Sequence, residues 1–153
     1  MEILITSQEA VELAFEGTYG ITPDRIGRAT VIAAQQKYIR PVLGKLYGRV
    51  ESGAYPELLE KVKPVLAHYV KSLLIPQLAV SIGNGGVTAV KGQYFESADQ
   101  EKTAVLRENI RSEACAMMRD LVEHIEANRE RYTEYDPADN ILNRTSICSG
   151  IIL

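Results

Sequence analysis

The chain has 153 residues, enough for one domain, and 46% of them are apolar, which suffices for a real hydrophobic core without disulfide or metal staples. A net charge of -3 excludes any global attraction to nucleic acid or to an anionic membrane, so binding of that kind would have to be local. Two cysteines, Cys115 and Cys148, make no disulfide framework, and no charged-plus-apolar leader precedes the first expected helix, which together point to a reducing, cytosolic origin. The apolar run Leu73 to Val80, with Pro76 and Gln77 inside it, is far short of the roughly 20 residues a membrane span needs, so a soluble protein is expected.

Charge is divided along the first third of the chain. Residues 1–24 hold five acids and no base, whereas residues 25–50 hold six bases and no acid. Either the two stretches pack side by side in one subunit, or the bases meet a neighbouring subunit or DNA phosphates. Arg25, Arg28, Lys37 and Arg40 are the candidates for such a basic surface.

In chain order, Met1 to Thr6 reads as a short strand or extended arm. Ser7 is then placed to cap a helix reaching about Phe15, with Glu9 in the first turn where the helix dipole favours an anion. Gly17 and Gly20 break that helix, and Thr22-Pro23 has the form of an N-cap followed by proline at the first helical position. Val31, Ala34, Tyr38 and Val42 recur at helical spacing, beside a second row of Ile32, Ile39, Leu43 and Leu46. Pro41 removes one backbone hydrogen bond, so a split or kink is expected near Tyr38 to Arg40.

After a turn at Gly53 to Pro56, the apolar stripe from Leu58 to Leu78 predicts a central core helix, bent at Pro64 and Pro76 unless the chain breaks before Pro64. Residues 83–98 lose the helical period and hold four glycines among Val87, Thr88, Val90, Tyr94 and Phe95, which suits a projecting β-hairpin or loop arm. Ser97 to Gln100 has capping-box spacing and opens the longest helix, which lines Leu106, Ile110, Ala114, Met117 and Leu121 on one side and runs to about Glu130. Asp136-Pro137 closes it off. The fold class is therefore mainly α: a small helical bundle over residues 1–138 with an arm at 83–98, followed by an extended C-terminal docking tail at 139–153.

Nothing in the spacing assembles a catalytic site. Asp120, Glu123, Glu126 and Glu130 lie among arginines on what should be the wet side of the long helix. His68 and His124 have no second ligand at metal spacing. Lys91 precedes Gly92, and no Ser or Thr follows a Gly-Lys pair, so the order of a phosphate-binding loop is absent. Cys115 falls near a core row and Cys148 lacks a local histidine to activate it. No cofactor, metal, catalytic residue or small-molecule substrate is expected. The apolar end is the informative feature: Ile141, Leu142, Ile147, Ile151, Ile152 and Leu153 form a strip that must be covered by the chain's own body or by another subunit.

The blocks Gln36-Lys-Tyr-Ile-Arg-Pro-Val-Leu-Gly44, Lys71-Ser-Leu-Leu-Ile-Pro-Gln-Leu-Ala-Val80, Tyr135-Asp-Pro137 and Asn140-Ile-Leu-Asn-Arg-Thr-Ser-Ile147 resemble a family of small proteins encoded in phages and prophages of Bacteroides-type bacteria, found among virion structural proteins. That family is similar in length and helical layout to the head-tail connector (adaptor, neck) proteins of tailed phages. The resemblance implies a homo-oligomeric ring between portal and tail, located in the virion after assembly in the bacterial cytoplasm. The partners it implies are portal, tail or neck proteins, with DNA passing through the channel and no membrane. Docking would fall to the arm (Val87, Val90, Tyr94, Phe95) and to the C-terminal strip, and no active-site residue comes with the likeness.

Overall fold

The structure is a computed structural model. It describes residues 2–15, 21–78, 80–83, 86–89, 98–144, 147–148 and 151–152, with side chains described at 2–15, 21–77 and 101–144. As expected it is mainly helical: α1 (Ser7–Ala14), α2 (Arg28–Ala34), α3 (Arg40–Leu43), α4 (Leu46–Glu51), α5 (Pro56–Leu78), α6 (Ala98–Ala127) and α7 (Ile141–Arg144).

The chain enters extended, and α1 begins at a capping box one residue earlier than the sequence suggests. Thr6, in β conformation, accepts on Oγ1 from the Glu9 backbone N–H at 3.2 Å, and the Glu9 carboxylate accepts from the Thr6 N–H at 2.8 Å. Ser7, expected as the cap, is the first helical residue, and its hydroxyl donates instead to the Ile26 carbonyl at 3.0 Å. At the other end Lys71 donates to the Ala14 carbonyl at 2.9 Å, and its ammonium lies 5.4 Å from the Phe15 ring centre. Thr22-Pro23 opens only a single 3-10 turn, Pro23–Arg25, with no side-chain cap, and α2 starts afresh after Gly27.

Pro41 acts as expected, with one refinement. Between α2 and α3 the chain widens into a π-turn over Gln35–Ile39, in which the Arg40 N–H reaches the Gln35 carbonyl. This turn, one residue wider than an α-turn, ends just before the point where proline has no N–H to give. Gly44, at φ 55° and ψ -125°, then ends α3.

Helix α5 is the axis of the bundle. It remains one element through Pro64 and Pro76, with no break before Pro64. Its buried rows, Leu58, Val62, Val65, Leu66, Tyr69, Val70 and Leu74, meet α1 and α2 on one side and α6 on another. On α6 the covered residues are Ile110, Ala114, Met118, Leu121, Val122 and Ile125. Leu106, which the sequence places in that row, is 36% exposed and Val105 is 61% exposed, because both lie toward the start of α6, before its buried stretch begins at Ile110.

The long helix stops at Ala127, short of the expected Glu130. Asn128 Nδ2 donates to the His124 carbonyl at 2.7 Å, and successive turns fold the chain back so that Tyr132 and Tyr135 are buried. Tyr132 packs edge-on against Tyr55, with ring centres 5.2 Å apart. Burying two aromatic rings outweighs one more helical turn of exposed, charged residues.

Two short antiparallel pairs complete the described chain: β1 (Val80–Gly83) with β2 (Gly86–Ala89), and β3 (Ile147–Cys148) with β4 (Ile151–Ile152). They do not establish a glycine-rich hairpin arm over 83–98, since residues 84–85 and 90–97, Val90, Tyr94 and Phe95 among them, lie outside the described residues. The C-terminal segment also departs from expectation at its root: Ile141–Arg144 is a helical turn, not an extended strand.

Candidate functional site

The root of the C-terminal segment is mounted on the body by buried polar contacts. Asn140 is fully buried; its Nδ2 donates to the Tyr135 hydroxyl at 2.8 Å, and its Oδ1 accepts from the Leu142 N–H at 2.9 Å, starting α7. Burial pushes the Tyr135 hydroxyl above its ordinary pKa, which keeps it neutral and able to donate to Glu126 at 3.3 Å. Arg144 pairs with Asp139 at 3.1 Å and also donates from Nε to the Ala138 carbonyl. Asp139 in turn lies directly over Gly44.

On this mount, Ile141 and Leu142 face solvent, 47% and 50% exposed. A helical turn held at both ends therefore leaves about half of two adjacent apolar side chains outward, and from that half an isolated monomer gains nothing. Beyond it, Ile147 sits opposite Ile152 and Cys148 opposite Ile151, while Leu153 is outside the described residues. Val87 pairs in register with Ile82.

The basic residues are all exposed but serve local roles at separate points. Arg25 ends the 3-10 turn, and Arg28 opens α2. Lys37, in the π-turn, lies 5.2 Å from the Tyr38 ring centre, and Arg40 donates to Gln36 at 2.8 Å. The acidic and basic stretches do lie side by side in one subunit, through Ser7 to Ile26 and Leu4 to Gln35. Their charges find other partners too: Glu9 pairs with Lys63 at 2.8 Å, and Arg49 with Glu134 at 3.0 Å.

Three features lay beyond sequence reasoning. Gln35, fully buried, accepts from the Leu4 N–H at 2.8 Å and donates to the Glu2 carbonyl at 3.1 Å and the Tyr47 hydroxyl at 3.0 Å. Tyr38 stacks on Tyr69 with centres 4.1 Å apart and planes 10° from parallel, and the Tyr69 hydroxyl, pushed up by burial, donates to Cys115 Sγ at 3.6 Å. A cleft of about 320 Å³ lies between α5 and α6, with Pro64, Val65, Met117 and Leu121 as its apolar lining and Glu60, Lys61, Asp120 and His124 as its polar lining. Glu60 is already paired with Lys63 at 2.8 Å. Among the described residues no group of three or more His, Cys, Asp or Glu is arranged to hold a metal ion, and no helix is long and apolar enough to cross a membrane.

Residues 26–145 match a family described as "Family of unknown function (DUF6712)", and the chain belongs to that family. No match was found among curated proteins or among solved structures.

Proposed function

We propose that this chain is a non-enzymatic assembly subunit, the head-tail connector of a tailed phage or prophage, which joins portal to tail as a ring in the virion. The observation that carries the reading is the Ile141–Leu142 pair: apolar, half exposed, and fixed by buried Asn140 at the root of an apolar terminus. The exposed half of such a pair gains free energy only when another surface covers it, and covering both side chains fully contributes about 1.5–3 kcal/mol, since half their area is already out of water. The segments at 83–98 and 139–153 are the docking elements, and adding a strand to a neighbour's sheet edge gives register through main-chain hydrogen bonds. A head-to-tail contact that closes by rotation makes the ring.

Purified protein, alone and with its portal partner, is to be measured by native mass spectrometry and negative-stain imaging. Rings, or a complex with portal or tail components, are expected; a chain that stays single at high concentration and ignores both partners overturns the reading.

A second reading, a DNA-binding or packaging accessory, is favoured by the exposure of Arg25, Arg28, Lys37 and Arg40. In a ring the same cations would line the channel. Phosphate contacts strengthen as salt falls, so absence of DNA affinity at low salt removes this role.

A further inference from the structure

The cleft of about 320 Å³ between α5 and α6 lies at the low end of small-molecule sites, roughly 300–1,000 Å³, and is of a size for a pair of side chains. Its floor is apolar, with Pro64 and Met117 half-buried beside the buried Val65 and Leu121. Two opposite charges stand exposed at its rim, Lys61 on α5 and Asp120 on α6, and among the described residues neither makes a hydrogen bond or an ion pair. The Ile141–Leu142 pair is its converse, an apolar projection with open charges beside it. Helix α7 lies on α3, where Arg40 and the following Lys45 are exposed and meet no acid among the described residues, and Asp136 is exposed with its carboxylate bonded only to the Ala138 N–H.

The cleft and the pair sit on opposite flanks of α6. Asp120 and His124 line the cleft one turn apart, and Glu126, two residues beyond His124, is about 200° round the helix from it. The mount is attached on that far flank, since the Tyr135 hydroxyl donates to Glu126 at 3.3 Å and Asn140 donates to Tyr135 at 2.8 Å. A subunit's own pair is therefore held away from its own cleft. We infer that the α5–α6 cleft is the socket for the Ile141–Leu142 pair of a second copy of this chain: the two branched side chains rest on Pro64, Val65, Met117 and Leu121, and the charges beside the pair meet Asp120 and Lys61. Met117, unbranched and adaptable, shapes the floor to them. A second copy is the occupant that the observations favour, because one chain carries both halves, of matching character, and one repeated contact covers both in every subunit. A plug on one flank and its socket on the other make a heterologous contact, which closes into a ring when the rotation allows. The inference names the contact within the ring and in that respect rests on the connector reading.

Two full-length variants, each lacking one half of the contact, test it. Ile141→Ser/Leu142→Ser loses the plug and keeps the socket. Asp120→Trp, at an exposed position with no partner among the described residues, fills the socket and keeps the plug. Folding is checked by circular dichroism, one variant is 15N-labelled, and sizes are read by native mass spectrometry. Each variant alone should self-associate about tenfold more weakly than wild type or worse. Mixed one to one, they should form heterodimers and nothing larger, since one intact plug meets one intact socket and the remaining ends are closed. Met117→Lys, which puts a charge on the socket floor, should behave as Asp120→Trp does and stands in for it if that variant fails to fold. Socket variants that assemble like wild type, or plug and socket variants that do not pair while wild type forms oligomers, overturn the inference and leave the connector reading standing. A wild type that stays single yet binds portal or tail components does the same, and one that stays single and binds neither overturns both.

Discussion

Gly44 and Asp139 meet backbone to side chain: a Cβ placed on Gly44 would lie 3.1 Å from the Asp139 Cβ, and the glycine itself has φ 55° and ψ -125°, a conformation that L residues avoid. The contact ties the end of α3 to the turn that carries the C-terminal segment. Gly44→Ala therefore meets two penalties, backbone strain and crowding, and should destabilise by about 2–4 kcal/mol in denaturant unfolding. Adding Asp139→Gly should recover only the crowding share. Strictly additive effects in that double-mutant cycle would mean the two residues do not press on each other.

The Glu9–Lys63 pair sets a pH dependence. The Lys63 ammonium, and after it the Thr6 N–H, holds the Glu9 carboxyl below its ordinary 4.5. Hydrogen bonds to Glu60 and then Glu9 hold Lys63 above its ordinary 10.5. The carboxylate's contribution is complete above 4.5 and disappears as pH falls through the lowered folded-state value. The ammonium's contribution is complete below 10.5 and disappears as pH rises through the raised one. Glu9→Gln keeps the capping-box acceptor but not the charge. Solvent at this 34%-exposed carboxylate limits the loss near neutral pH to about 0.5 kcal/mol. The difference in stability between wild type and Glu9→Gln should close in acid below 4.5 and again in alkali above 10.5. A difference unchanged into acid would mean the charge contributes nothing.

The Tyr38–Tyr69 stack joins the π-turn to α5 and, through the Tyr69 hydroxyl, to Cys115 on α6. Tyr38→Leu keeps apolar bulk and removes the ring, and should cost about 1 kcal/mol; Tyr69→Phe keeps the stack and loses only the weak contact to sulfur, and should be nearly neutral. Thermal unfolding of both variants decides the ranking, and a more damaging Tyr69→Phe would assign the stability to the hydroxyl instead.

What was legible in the sequence is what depends on period. The stripe from Leu58 to Leu74 and the row from Ile110 to Ile125 repeat along one face, so both could be read as helices with a core side, while their packing on each other came from the structure. Position within a motif was less legible: Thr6 and Ser7 are both good caps, and only backbone conformation, with Ser7 drawn to the Ile26 carbonyl, decides between them. Buried polar groups left no sequence signal. Gln35 is an ordinary helix residue until the Glu2 and Leu4 backbone is laid against it, and Asn140 is an ordinary loop residue until Tyr135 folds over. Leu106 shows the converse: its spacing is that of a core position, yet it lies on α6 ahead of the residues that pack. For the candidate site, the sequence reading left open whether Ile141 and Leu142 are covered by the chain's own body or by another subunit, and the mount beneath them was not legible, since it is built from contacts between positions 44, 135, 139 and 140 that no local pattern encodes.

That mount and the pair it carries should separate cleanly by mutation. Asn140→Ala strands the buried Tyr135 hydroxyl without its donor and removes the acceptor that starts α7, so it should cost about 1–3 kcal/mol of stability. Ile141→Ser/Leu142→Ser also gives up the half of each side chain that is already out of water, so it should cost a comparable amount, about 1–3 kcal/mol. Association should separate the two. The double serine variant, compared under conditions where it is folded, should lose self-association or partner binding by about tenfold or more, the equivalent of the 1.5–3 kcal/mol that covering the exposed halves contributes. Circular dichroism melts give the first comparison and analytical ultracentrifugation the second. A double variant that assembles as tightly as wild type would show that Ile141 and Leu142 stay in water, and the assembly surface would have to lie elsewhere on the molecule.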